Sequence, residues 1–163
     1  WIDPEDYHIT LRFIGDIDHA TARDIDESLA EIRRDPVTVT LEGVEAFGGK
    51  RPRSVHARVL PDRALMELQA DIERRVRKAG APAETRKFTP HVTLARLRDV
   101  SPLDVADYLA LRGALPRISF TAQRLVLFSS RDSVGGGPYV VEAAYDLGDN
   151  SGVDALDQCD VAP

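Results

Sequence analysis

The tetrapeptides His8-Ile9-Thr10-Leu11 and His91-Val92-Thr93-Leu94 repeat one pattern, His-apolar-Thr-Leu, inside two strand-like apolar runs. In a strand, residues i and i+2 project from the same face. Each run therefore aims an imidazole and a hydroxyl one way and turns its apolar side chains the other. A single His-x-Thr carries no information, because strands are rich in Thr and a core readily satisfies a His. The pair is harder to dismiss: the chain has only four His, and two of them carry the pattern with a matching Leu. Two facing imidazoles can act as base and acid across one phosphorus, since the ordinary pKa of His lies near working pH. Thr10 and Thr93 can then donate hydrogen bonds to the non-bridging oxygens, where negative charge grows. The likeness of the two halves leaves the roles nearly exchangeable; the assignment taken is His91 as base and His8 as acid. Such chemistry requires neither a metal nor a covalent intermediate. No Cys/His cluster has zinc spacing, so no metal and no cofactor is expected.

The elements that must position these residues alternate along the chain. Residues 7–15 read as a strand, followed by a helix over 18–34 with Asp18 as N-cap and Ile25, Leu29 and Ile32 at helical spacing. Residues 36–47 alternate as a strand, 48–52 turn, and 53–60 return with Val55, Ala57 and Val59 on one face. A second helix starts at Pro61-Asp62, carries Leu65, Leu68, Ile72 and Val76, and ends at Gly80. After a loop over 81–87, residues 88–97 form the second His strand, Ser101-Pro102 caps a short helix, and 118–128 and 139–146 are strands. The fold class is thus α+β, a bilobal, pseudo-symmetric duplication of a βαββ unit with antiparallel sheets lining a central cleft and one His-x-Thr per copy. The second His strand is preceded by a strand and a helix, whereas only residues 1–6 precede the first. The first lobe is therefore expected to lack an N-terminal strand and helix that its counterpart has.

Composition sets outer bounds. A chain of 163 residues, 43% hydrophobic and 29% charged, fits one domain or two intimate lobes. Residues 1–148 are taken as the domain, and 149–163, acidic and non-periodic, as a disordered tail. The lone Cys159 rules out a disulfide framework and points to a reducing, cytoplasmic setting. No apolar run approaches a membrane span, so no membrane partner is expected. The net charge is −6, and four Asp with no Lys or Arg fall in residues 147–163, leaving a near-neutral body. That balance excludes tracking along duplexes by counterion release, yet suits gripping one phosphate in a locally basic cleft.

With both motifs and the repeat in view, the chain resembles the two-histidine phosphoesterase superfamily, and within it the LigT-like RNA 2′,3′-cyclic phosphodiesterases, historically called 2′-5′ RNA ligases. The specific parts are Asp3-Pro4-Glu5 leading into His8-Ile9-Thr10-Leu11-Arg12-Phe13-Ile14-Gly15, then Phe88-Thr89-Pro90-His91-Val92-Thr93-Leu94-Ala95-Arg96. Ser129-Ser130 and Gly137-Pro138-Tyr139 look like the family's closing segment. The resemblance implies a bilobal α+β fold, no metal, and hydrolysis of 2′,3′-cyclic phosphates on RNA ends or nucleotides to 2′-phosphates. It maps catalytic roles onto His8, Thr10, His91 and Thr93, and substrate binding onto Phe13, as a base-contacting ring, and Arg96, as a phosphate-side cation. The chain departs from the family at its front, where an apolar strand and a helix normally come first.

Phe13 and Arg96 each lie five positions past their His, so simple alternation turns them away from the His face; strand twist or a bulge would restore them. Lys50, Arg51 and Arg53 in the hairpin turn could touch an RNA backbone or serve solubility alone. His19 and His56 lack a companion pattern and read as surface or packing residues. Gly135-Gly136-Gly137 is not a P-loop, since no Gly-Lys-Ser/Thr follows, and reads as a flexible loop. The chain is expected to act as a monomer with no obligate protein partner. Two alternatives stand beside the hydrolase: 2′-5′ RNA ligation or action on another phosphodiester, and a binding module for RNA ends or nucleotides without turnover.

Overall fold

The computed structural model describes residues 1–130 and 139–148. After a 3-10 turn, Pro4–Asp6, come α1 (His19–Ala30), β1 (Val37–Phe47), β2 (Ser54–Val59), α2 (Arg63–Lys78), β3 (His91–Arg96), α3 (Pro102–Arg112), β4 (Ile118–Ala122), β5 (Arg124–Ser130) and β6 (Tyr139–Asp146). Four strands form one sheet in the order β3-β2-β1-β4, and β5 and β6 form a second; every pairing is antiparallel. The α+β class with antiparallel sheets is the one the alternating pattern implies.

Alternation also builds the core. Val37 and Val39 of β1, Ala57 and Val59 of β2, and Val92 of β3 face α1 and α2, which contribute Ile25, Leu29, Leu65, Leu68, Ile72 and Val76 to one buried cluster. Each helix starts where a short polar side chain satisfies a free amide. Asp18 accepts from the Thr21 amide (2.8 Å), Asp62 from Ala64 (2.8 Å) and Ser101 from Leu103 (3.1 Å). Gly80 follows α2 at φ 107°, a conformation that suits glycine.

Three elements differ from the sequence reading. Residues 7–15 do not form a continuous strand: only Ile9 bridges to the sheet, opposite Val92, because Arg12 turns away toward α2 and Gly15 takes φ 83°. The helix expected to reach Arg34 ends at Ala30, with Ile32 buried in the turn that follows. The strand expected over 118–128 divides at Gln123, where the chain changes sheets. Before it, Ala122 pairs with Val37 of β1; after it, Arg124 pairs with Asp146 of β6. The Gln123 carbonyl accepts from the Leu147 amide (2.7 Å) at that crossing. The glycine loop at 135–137, Pro138 and the acidic tail at 149–163 lie outside the described residues. Among those described, no helix is long and apolar enough to cross a membrane, and no group of three or more His, Cys, Asp or Glu is placed to hold a metal ion.

Candidate active site

The bridge between Ile9 and Val92 sets the register of the two motifs. It is antiparallel, so Thr10 stands opposite His91 and His8 opposite Thr93. Ile9 and Val92 turn into the core, and the four polar side chains share the other face. His8 and His91 are then diagonal neighbours of an antiparallel pair, with backbones about 7–8 Å apart. Each motif thus sets its His beside the other's Thr.

Both imidazoles are oriented in the same way. His8 Nδ1 lies 2.7 Å from the carbonyl oxygen of Asp6, and His91 Nδ1 lies 2.7 Å from that of Thr89. A carbonyl only accepts, so each Nδ1 carries a hydrogen and donates it. The neutral ring therefore keeps its lone pair on Nε2, the nitrogen left for chemistry. Both side chains are half-buried. The donor-to-carbonyl spacing of two residues is the same in both copies, so the repeat extends to the tautomer.

Register explains the position of Arg96. Opposite β2, Thr93 pairs with His56 and Ala95 with Val55, so Leu94 is an extra residue in β3. This bulge restores parity: Arg96 pairs with Ser54 and joins His91 and Thr93 on the same face. The guanidinium donates to the Tyr139 hydroxyl (3.1 Å), and the Tyr139 ring meets the edge of His8 with centroids 5.3 Å apart. Phe13 is not brought in: the chain leaves the sheet after Ile9, the ring is exposed, and among the described residues it contacts neither imidazole.

A second bulge serves β1. Between Leu41 and Val44 the strand has one residue more than β2, with Gly43 at φ 77°. Beyond it, Glu45 pairs with His56 and Phe47 with Ser54, which places both on the His91 face. Each catalytic candidate then has two ring neighbours. His8 lies against Phe128 (5.9 Å) and Tyr139, from the second sheet. His91 lies against Phe47 (4.9 Å) and His56 (5.2 Å), from the first. Phe47, Phe128 and Tyr139 were not singled out as site residues in the sequence, and His56 was set aside as packing. The available signal was alternation in β2: Ser54, His56 and Arg58 oppose Val55, Ala57 and Val59, so pairing with β3 puts His56 beside His91.

Cations on this face differ in how they are held. Arg58, opposite His91, is engaged by Glu42 (3.3 Å) and Glu45 (3.6 Å). Among the described residues Arg96 has no carboxylate within 4.0 Å, so its charge is not neutralised locally. Burial lowers the pKa of His56, the neighbouring His91 lowers it further, and Glu45 opposes both. Lys50, Arg51 and Arg53 are exposed at or beside the β1–β2 turn.

Fold and face together define a class: an antiparallel α+β scaffold that presents two equivalently oriented imidazoles, each beside a Thr, with Arg96 on the same face and, among the described residues, paired with no carboxylate. Comparison with known proteins makes this specific. The family model described as 2′-5′ RNA ligase superfamily matches residues 4–133, and the chain belongs to that superfamily. An RNA 2′,3′-cyclic phosphodiesterase of Bacillus subtilis (strain 168) is 37% identical over 99 residues, covering 59% of this chain and 54% of that protein. One of Aeropyrum pernix is 38% identical over 99 residues, covering 60% and 56%. The chain thus spans little more than half the length of these relatives. The crystal structure of Escherichia coli LigT complexed with 3′-AMP superposes with a TM-score of 0.70 at 21% identity, over 91% of this chain and 80% of that one, which shows a shared fold.

Proposed function

We propose that the chain hydrolyses 2′,3′-cyclic phosphates on RNA ends or nucleotides to 2′-phosphates, with His8, Thr10, His91 and Thr93 as its catalytic residues. The observation that carries this reading is the matched pair of Nδ1–H···O=C bonds at His8 and His91 on one face of an antiparallel pair. Two Nε2 atoms are thereby free, one to take a proton and one to give it. The names of the relatives in Bacillus subtilis and Aeropyrum pernix agree with it.

In the reaction, neutral His91 takes a proton from water as the oxygen bonds to phosphorus. The P–O3′ bond breaks, and protonated His8 gives its proton to O3′, leaving a 3′-hydroxyl and a 2′-phosphate. Each proton transfer is worth about 10²–10⁴-fold in rate. Thr10 and Thr93 donate to the non-bridging oxygens, and Arg96 offers a fork of donors to the same phosphate. Phe13 stands as a base-contacting ring only by its match to the family. The local two-fold of the motifs makes exchanged acid and base roles equally workable. No metal or cofactor is assigned to these steps. The working unit is residues 1–148, acting as a monomer in the cytoplasm with no obligate protein partner.

The superfamily description favours one further reading. If a bound 5′-hydroxyl replaces water, the same attack with the same P–O3′ cleavage yields a 2′-5′ linkage. Turnover of a 2′,3′-cyclic mononucleotide in excess chelator, followed by phosphorus NMR, tests all of this. The expected product is the 2′-phosphate, with losses of at least about 10²-fold in His8→Ala and in His91→Ala. Full rate in either folded variant would remove the mechanism. Nucleotide binding with no product over hours would leave a recognition module instead.

A further inference from the structure

His56 is the third imidazole at the site, and the two-histidine mechanism does not use it. It is 2% exposed, and its Nδ1 finds no protein partner among the described residues. Its ring stacks on Phe47 with centroids 3.9 Å apart and planes 14° apart. Both rings present themselves to His91 nearly at right angles, His56 at 69° and Phe47 at 82°. His56 and Phe47 thus make one two-ring stack against which the His91 ring packs, and the Thr89 carbonyl that accepts from His91 Nδ1 fixes the remaining rotation.

Among the described residues, the charged groups facing His56 are few. From β1 comes Glu45, whose carboxylate lies 3.9 Å from Nε2. Arg58 is on its own strand, two residues on and engaged by Glu42 and Glu45. From β3 come His91 itself and Arg96. An Nε2–H directed at Glu45 leaves Nδ1 as a bare lone pair, which is cheaper to bury unpaired than an N–H. Two protonated rings with centroids 5.2 Å apart would repel each other, which favours one proton on the pair over two.

We propose that His56 is a positioning residue for His91: its uncharged ring, with Phe47, fixes the plane of the His91 imidazole, and the two histidines hold one proton between them rather than two. This rests on the role given to His91 under the proposed function. A base that becomes positive during the reaction then does so beside a neutral ring. Burial, which lowers the pKa of His56, acts in the same direction.

Two measurements test it. Nitrogen-15 NMR of the imidazoles, on the intact chain without substrate, should show His56 neutral with an unprotonated Nδ1 throughout the titration of His91. A His56 that takes its proton with or before His91 would overturn the proposal. For positioning, His56→Ala should lower kcat on a 2′,3′-cyclic mononucleotide by about tenfold with KM little changed, and His56→Phe, which keeps the ring, should restore most of it. Equal losses in both variants would overturn the positioning role. If His56→Ala does not fold, Phe47→Leu, altering a partly exposed ring, should give the same kcat loss; an unchanged kcat there would overturn the positioning role of the stack. The NMR arm needs no turnover, so a chain inactive on cyclic phosphates leaves it able to decide.

Discussion

Replacing Arg12 by Ala should cost both stability and the placement of His8. Arg12 sits two residues after Thr10, where the chain leaves the sheet having made only the Ile9–Val92 bridge. Its side chain is 5% exposed, with Nε 2.5 Å from Glu73 of α2 and Nη1 3.7 Å from Glu84. It also donates to the carbonyls of Phe13 and Pro82. Removing one partner of a buried ion pair costs about 3–5 kcal/mol. Two features move Arg12 to the bottom of that range or below. Glu73 retains 21% exposure, and the Arg12 Nε–H is not aligned on its oxygen, so that contact is coulombic rather than a formed hydrogen bond. A loss of about 2–3 kcal/mol is expected. At about 2–4 °C per kcal/mol for a domain of this size, Tm should fall by about 4–12 °C. Glu73→Gln should cost less, because the guanidinium keeps its carbonyl acceptors. The double variant Arg12→Met/Glu73→Leu should recover most of the stability, since a well-packed apolar pair replaces a buried charge pair at little cost. Thermal melts of the four proteins, with kcat on a cyclic nucleotide, provide the check. The single variant should lose kcat at temperatures where it is still folded. A melt within 2 °C of wild type, or losses that simply add in the double variant, would refute Arg12 as the clamp of the His8 segment.

Other expectations concern separate parts of the molecule. Arg96→Ala should lower kcat/KM by about 10–100-fold, as loss of a charge-assisted bond to phosphate does, and Tyr139→Phe by a few-fold. In the Arg96→Ala background Tyr139→Phe should add nothing; additive losses would mean the Tyr139 hydroxyl acts on its own. Gly48→Ala should disrupt the β1–β2 turn, since a Cβ there would stand 2.1 Å from the Arg51 carbonyl oxygen at φ 110°. A destabilisation of about 2 kcal/mol or more is expected in urea unfolding. Glu84 is held down to about 2 from its ordinary 4.5, chiefly by the Arg86 side chain. A depressed carboxylate contributes stability that is intact above pH 4.5 and lost as pH falls toward 2. Melts of Glu84→Gln should therefore converge on wild type across that window, and a constant difference down to pH 2 would contradict the assignment.

Much of this was legible because it depends on local rules. The caps at Asp18, Asp62 and Ser101, the alternation of β2 and the opposed faces of each His-x-Thr follow from side-chain chemistry and strand period. What was not legible depends on pairing. Parity shows that a twist or bulge must bring Arg96 round, but that it is a bulge, and that it falls at Leu94, is invisible until β2 lies alongside. The change of sheet at Gln123 lies inside a strand-like run, Ile118 to Phe128, with no Gly or Pro to announce it. The early departure of residues 10–15 from the sheet reflects a tertiary ion pair with α2, which no window on those residues contains. The packing role read for His56 agrees with its burial, but its nearness to His91 was not legible, because that companion is on another strand.

The Ile9–Val92 bridge has one more implication, which concerns reversibility. An antiparallel pair has a two-fold axis between its strands, and this one passes among His8, Thr10, His91 and Thr93. In an in-line displacement the arriving and departing oxygens stand on opposite sides of phosphorus. For a phosphorus on that axis, the operation that swaps the motifs also swaps those oxygens, so the catalyst looks the same to a reaction run backwards. The product would then be chosen by whichever nucleophile is present, a hydroxyl of another strand or the solvent, and the direction by the amounts of substrate and product, as for any catalyst.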